Sequence, residues 1–160
     1  MRTLIKNASL QDLKNELSRM LSEGMTDPSV RESAFRASTD SQDPITSVFQ
    51  WMKQHTKYVP DPDNAELFTS PRRMIEKINS DGVAGEDCDG LALLTAAMLG
   101  SIGYKVRIAL LDTDFDDDLD HAICQVYDEN LRQWINVDSS STNPIGWEVS
   151  SGKTEYVFTK

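Results

Sequence analysis

Long apolar runs, paired metal ligands and positive charge are what this chain of 160 residues has least of. Behind Met1-Arg2-Thr3-Leu4-Ile5-Lys6-Asn7 no stretch is apolar enough for a signal peptide, or for a membrane span of about 20 residues. Two cysteines are too few for a disulfide scaffold, and with two histidines far from one another they offer no zinc-ligand spacing. Only 16 Lys and Arg stand against 26 Asp and Glu, a net charge of −10. Nucleic acid and anionic membranes, which need clustered cations, are therefore unsuited partners. No glycine loop of the phosphate-cradling kind is present either. The expectation is a soluble, cytoplasmic protein with one core, since a chain this short rarely buries two.

Apolar spacing then divides the chain into helices followed by strands. Leu10, Leu13, Leu17 and Leu21 recur at helical spacing, with Ser9 and Asp12 placed as a capping box and Gly24 as the residue just past the end. A second helix is expected after Asp27-Pro28, with Val30, Ala34 and Phe35 inward, and residues 36–42 read as a polar loop. Asp43-Pro44 restarts a helix that buries Ile45, Val48, Phe49, Trp51 and Met52. Val59-Pro60-Asp61-Pro62-Asp63-Asn64 is a stiff extended connector. Ser70-Pro71 caps a helix with Met74, Ile75 and Ile78 inward, ended by Asn79-Ser80-Asp81-Gly82. The next helix, opened by Gly85-Glu86-Asp87-Cys88-Asp89 and ended at Gly100 or Gly103, has few polar positions and should lie centrally. From Tyr104 the period changes to two: Val106, Ile108 and Leu110, then Ala122, Cys124 and Val126, then Trp134 to Asp138, with a last strand at 154–158. Helices followed by a meander predict an α+β fold in which the central helix packs on an antiparallel sheet.

Within that plan one constellation carries chemistry. Cys88 opens the central helix, where unpaired N–H groups and the helix dipole favour thiolate. His121 opens one strand, and Asp138 closes the next beyond a turn at Asp128-Glu129-Asn130, so the two should sit opposite each other at one end of the sheet. A histidine can take a thiol proton, and a carboxylate on its far nitrogen fixes its tautomer. Alternation turns Cys124 to the other face, as a small core residue. Each residue alone also has a plain structural reading: a helix-start cysteine, a surface histidine, a turn aspartate. His55 and the aromatics Trp51 and Trp134 read as surface and core respectively.

Asp112, Asp114, Asp116, Asp117, Asp118 and Asp120 crowd the loop before His121. Their opening spacing is that of a calcium loop, but Asp117 stands where an EF-hand needs glycine, and Ile123 where it needs the closing glutamate. A looser calcium site and a solvated acidic loop both stay open, and no cofactor is expected. Acidic neighbours favour protonated histidine and disfavour thiolate. An acidic mouth also suits a cationic or amine-bearing substrate.

Several blocks together resemble the transglutaminase-like superfamily, a rearranged relative of the papain fold. They are Trp51-Met52-Lys53, Tyr58-Val59-Pro60-Asp61, Ser70-Pro71-Arg72-Arg73-Met74, Gly85-Glu86-Asp87-Cys88-Asp89-Gly90-Leu91-Ala92, Leu99-Gly100-Ser101-Ile102-Gly103-Tyr104, His121-Ala122 and Trp134-Ile135-Asn136-Val137-Asp138. One departure is Glu86, where the family motif often reads glycine. The short helical preamble and Gly146-Trp147-Glu148 are similar to the small versions carried by tailed bacteriophages and prophages. The resemblance implies one domain over residues 1–160, with a preamble at 1–43, the core at 44–140 and a tail or strand at 141–160. It implies Cys88, His121 and Asp138 as a catalytic triad for hydrolysis or transamidation of protein or peptide amides. Tyr58, Trp51, Trp147, Asp118 and Asp120 are the residues expected to meet substrate. The alternative is a non-catalytic phage structural, assembly or host-protein-binding module on the same fold.

Overall fold

A computed structural model describes residues 2–6, 9–39, 43–60 and 65–159. The chain runs β1 (Arg2–Lys6), α1 (Leu10–Thr26), α2 (Pro28–Ala37), α3 (Pro44–His55), β2 (Thr56–Tyr58), β3 (Ala65–Thr69), α4 (Pro71–Asp81), β4 (Ala84–Glu86) and α5 (Cys88–Ser101), then β5 (Val106–Leu111), β6 (His121–Asp128), β7 (Gln133–Val137) and β8 (Thr154–Val157). The last four strands form one antiparallel sheet in the order β7-β6-β5-β8. Helices α1 to α4 gather around α5, which lies against β6 and β5. The α+β plan with a central helix on an antiparallel sheet holds.

Local chemistry explains most helix ends. Ser9 accepts from the Asp12 N–H while the Asp12 carboxylate accepts from the Ser9 N–H, the reciprocal box that satisfies two free donors. Asp27, Asp43 and Ser70 cap α2, α3 and α4, each followed by proline in the first turn, where its missing N–H costs nothing. Gly82 ends α4 in the left-handed conformation, at φ 86°. Every residue of α5 from Gly90 to Leu99 is buried, as a helix apolar on all sides requires.

Tertiary packing overrides the local signals in several places. Gly24 does not end α1: the helix continues to Thr26, and the glycine lies where α1 meets α4 and α5. A Cβ there would stand 2.7 Å from Pro71 Cγ and 2.9 Å from Ala97 Cβ. Phe35, expected inward, is 50% exposed beneath the Arg31 guanidinium, because Val30 and Ala34 already fill the inner face of α2. Trp134 is no core residue; it lies on the outer sheet face against Arg107, whose guanidinium is 4.1 Å from its ring centroid and 3.8 Å from that of Tyr156. Leu17, Met20, Leu21, Val30 and Ala34 belong to the same apolar cluster as α5 and the sheet, so the preamble completes the core.

Strands β1 to β4 carry no alternation that marked them. β1 pairs antiparallel with β3, and β2 parallel with β4. The β2–β4 pair leads straight into the Asp87 cap, so α5 begins at Cys88 and Gly85-Glu86 are strand. Of the expected connector, Val59 donates to the Glu86 carbonyl at 2.8 Å, and Asp61 to Asn64 lie outside the described residues, as do Asp40 to Gln42 of the expected polar loop. No described helix is long and apolar enough to cross a membrane.

Candidate active site

The site is assembled at the end of the sheet that faces the N-terminus of α5. The Asp87 side chain accepts from the Gly90 N–H at 3.1 Å, and its carbonyl takes the Leu91 N–H, so the cap fixes Cys88 as the first helical residue. His121 opens β6. Its Nε2 is 2.8 Å from Asp138 Oδ2. The pair is diagonal across the hairpin rather than directly opposite, since Cys124 pairs with Val137 and the register therefore sets Asp138 across from Ile123. Two positions of offset keep both side chains on the same face. The other Asp138 oxygen, Oδ1, accepts from the Ser140 N–H at 3.0 Å and from the Ser140 hydroxyl at 2.7 Å.

With Nε2 committed to Asp138, the imidazole keeps Nδ1 for another partner. Cys88 and His121 line one cavity of about 170 Å³, together with Leu13, Tyr58, Asp87, Asp89, Leu110, Leu119 and Asp120. Of the residues expected to meet substrate, Tyr58 and Asp120 are in this wall. Trp51, Trp147 and Asp118 are elsewhere. Trp51 stacks on His55 at 4.6 Å and packs on the core. The Trp147 ring is exposed, and its carbonyl accepts from Asn136 Nδ2. Asp118 closes a turn on Asp116. Leu13, read from its spacing as a core residue, also lines the cavity, because α1 packs along α5; nothing local to its sequence signals that.

Electrostatics divide the site. The His121 pKa is raised, first by the hydrogen bond to Asp138, against the opposing pull of burial and with help from Asp120 and Asp89. Burial pushes the Asp138 carboxyl up, but the bonds from His121 and Ser140 outweigh it and the net shift is down. Both shifts favour the charged pair. Cys88 behaves otherwise than a helix N-terminus alone would dictate. Burial, then Asp89 and Asp87, push its thiol far up, opposed by the Ala122 N–H that donates to the sulfur. Thiolate therefore needs a proton acceptor at hand. Cys124 is fully buried with its pKa raised by burial, as expected of a core thiol, and both cysteines are free.

In the acidic loop, Asp112, Asp116 and Asp120 bring carboxylate oxygens within 4.8 Å of one another. These groups are already engaged in the loop's own turns: Asp112 accepts from the Asp116 and Asp117 N–H groups, and Asp120 from Thr113 and Asp114.

Comparison with known proteins agrees with this architecture. The family model of the transglutaminase-like superfamily matches residues 29–139, and the chain belongs to that superfamily. Among solved structures, a protein of Cytophaga hutchinsonii provisionally assigned as a cysteine protease superposes with a TM-score of 0.55 at 14% identity, covering 97% of this chain and 61% of that one. A TGase gives 0.41 at 14% identity, over 92% of this chain and 37% of the other. Rad4–Rad23 crosslinked to undamaged DNA gives 0.45 at 16% identity, over 83% and 36%. This chain thus spans less than two thirds of each of these proteins. No curated protein sequence matches it.

Proposed function

We propose that the protein is a cysteine-dependent acyl-transfer enzyme acting on protein or peptide amide bonds. The observation that carries this reading is a single cavity shared by Cys88 and by a histidine whose far nitrogen is already held by a buried carboxylate. In this reading His121 Nδ1 takes the Cys88 proton as the sulfur attacks the carbonyl carbon. The S–C bond forms, and the carbonyl electron pair moves onto oxygen. The Cys88 N–H, in the first helical turn and outside the helix's own ladder, is the natural donor to that oxyanion. His121 then gives the proton to the leaving nitrogen as the C–N bond breaks, leaving a thioester on Cys88. Water resolves it to an acid, and a primary amine to a new amide. No cofactor enters these steps.

Asp87, Asp89 and Asp120 in the cavity wall suit a cationic or amine-bearing reactant, whose attraction salt would screen. Reaction insensitive to ionic strength and to Asp89→Asn would remove that preference. A reducing, cytoplasmic setting suits the two free thiols.

The test is alkylation of Cys88 by iodoacetamide across pH, read by mass spectrometry beside Cys124 and against His121→Ala. Cys88 labelling that depends on His121 supports an activated nucleophile. One specific observation favours a second reading, a non-catalytic binding or assembly module such as a phage protein: the thiol is half-buried and set among acids, which together push its pKa up. Equal labelling in the wild type and His121→Ala would move the conclusion there.

A further inference from the structure

Helix α5 buries one hydroxyl among its apolar side chains. Thr95 is fully buried and lies two turns below Cys88, on the same side of the helix at a spacing of seven residues, a rise of about 10 Å. Its hydroxyl donates to the Leu91 carbonyl at 2.7 Å, so its single proton is used. The contact of 2.8 Å between Thr95 Oγ1 and Ser139 Oγ must then have Ser139 as donor. Ser139 is itself 7% exposed, and it is the residue after Asp138. Lys53 of α3 grips the same turn, its Nζ donating to the Ser139 carbonyl at 3.4 Å and to the Ser141 carbonyl. Ser140 completes the turn by bonding Asp138 Oδ1.

These contacts close a loop through the molecule: Cys88 along α5 to Thr95, across to Ser139, one residue to Asp138, and back to His121 and the cavity. An apolar residue at position 95 would serve the core as well, because valine has the same shape. A buried hydroxyl pair between segments 44 residues apart instead fixes the height of α5 against the Asp138 turn. We propose that Thr95 and Ser139 are positioning residues, whose buried hydroxyl pair locks the Asp138 turn to the helix that carries Cys88. This rests on the reading of Cys88, His121 and Asp138 as the reactive group. The carboxylate is then aimed at His121 by the core itself and not by the hairpin alone.

The experiment is a titration of His121 by NMR in the whole protein, with His55 as internal reference, in Thr95→Val, Thr95→Ser and Ser139→Ala. The pH profile of Cys88 alkylation is measured in parallel. Thr95→Val and Ser139→Ala should weaken the proton affinity of His121 by on the order of threefold, since a turn that drifts loosens the Nε2 bond that raises it. The Cys88 alkylation profile should shift to lower pH with them, and its plateau should fall, as a weaker base acts. Thr95→Ser, which keeps the hydroxyl, should restore both. A fall in melting temperature with an unmoved His121 titration and an unmoved alkylation profile would make the pair merely structural and overturn the proposal. If Thr95→Val does not fold, Ser139→Ala, which only removes atoms, decides alone. Asp138→Asn separates the two levels. If it leaves His121 unmoved, the pair itself is wrong; if it moves His121 while the Thr95 and Ser139 variants do not, only the positioning role fails.

Discussion

Asp138→Asn removes one charge from a site where it should be felt strongly. The carboxylate side chain is 6% exposed and the imidazole 23%, with 2.8 Å between Nε2 and Oδ2, so solvent screens the pair little. A hydrogen bond to a charged group is worth about 1.5–3 kcal/mol. At about 1.4 kcal/mol per tenfold change, its loss should weaken proton binding by His121 roughly ten- to a hundredfold. Burial, which already lowers the imidazole pKa, would then be opposed only by Asp120 and Asp89. His121 should titrate well below its wild-type midpoint, read from its ring protons by NMR. Stability follows the same linkage. Because the His121 pKa is raised on folding, its contribution is full below the ordinary imidazole value of about 6.5 and is lost as pH rises through the folded value. Because the Asp138 pKa is depressed, its contribution is present above the ordinary carboxylate value of about 3.9 and is lost as pH falls through the folded value. The wild type should therefore lose melting temperature on either side of that window, and Asp138→Asn should flatten both slopes. A His121 midpoint identical in the two proteins would refute the ion pair and, with it, the proposed role of Nδ1 as acceptor of the Cys88 proton.

Cys88 alkylation in the wild type should rise with pH along the His121 titration, because the proposed mechanism takes neutral imidazole as the proton acceptor. In His121→Ala the rise should move above the ordinary thiol value of about 8.5, since burial, Asp89 and Asp87 remain, and mass spectrometry of the labelled peptide reads both. Cys124, fully buried, should stay unlabelled until the protein unfolds, which a urea series would show. Gly24→Ala should destabilise by about 1–3 kcal/mol, the range for overpacking, because the new methyl meets Pro71 and Ala97; an unchanged midpoint in denaturant would disprove the close approach. Leu94→Ala, in the fully buried middle of α5, should cost about 2–5 kcal/mol by the same measurement.

Much of the helical half was legible because its signals are local. Ser9, Asp27-Pro28, Asp43-Pro44 and Ser70-Pro71 mark helix starts by chemistry confined to one turn, and Gly82 marks an end by a φ that glycine adopts freely. Alternation also gave β5 to β7 and separated Cys124 from Cys88. Gly24 misled because the same residue serves a helix end and a helix crossing, and the difference is a prolyl ring and a methyl group supplied from positions 71 and 97. The short strands β2 and β4 are three residues each and exist only through pairing with one another, which no window of sequence contains.

The candidate site divides in the same way. Sequence by itself determined which groups are present and in what order: a cysteine at a helix start, a histidine opening one strand and an aspartate closing the next. It could do so because caps, alternation and hairpin turns are set by neighbouring residues. Tertiary structure alone decided that the pair is diagonal, that Nε2 is the nitrogen held by Asp138, and that Leu13 and Leu119 wall the cavity beside Asp120. To the acidic neighbours of the thiol, already visible in sequence, it alone added burial, the largest cause of the raised pKa. A helix N-terminus favours thiolate, yet burial and the carboxylates beside Cys88 raise its pKa, and desolvation is a property of everything packed around an atom rather than of the residues next to it.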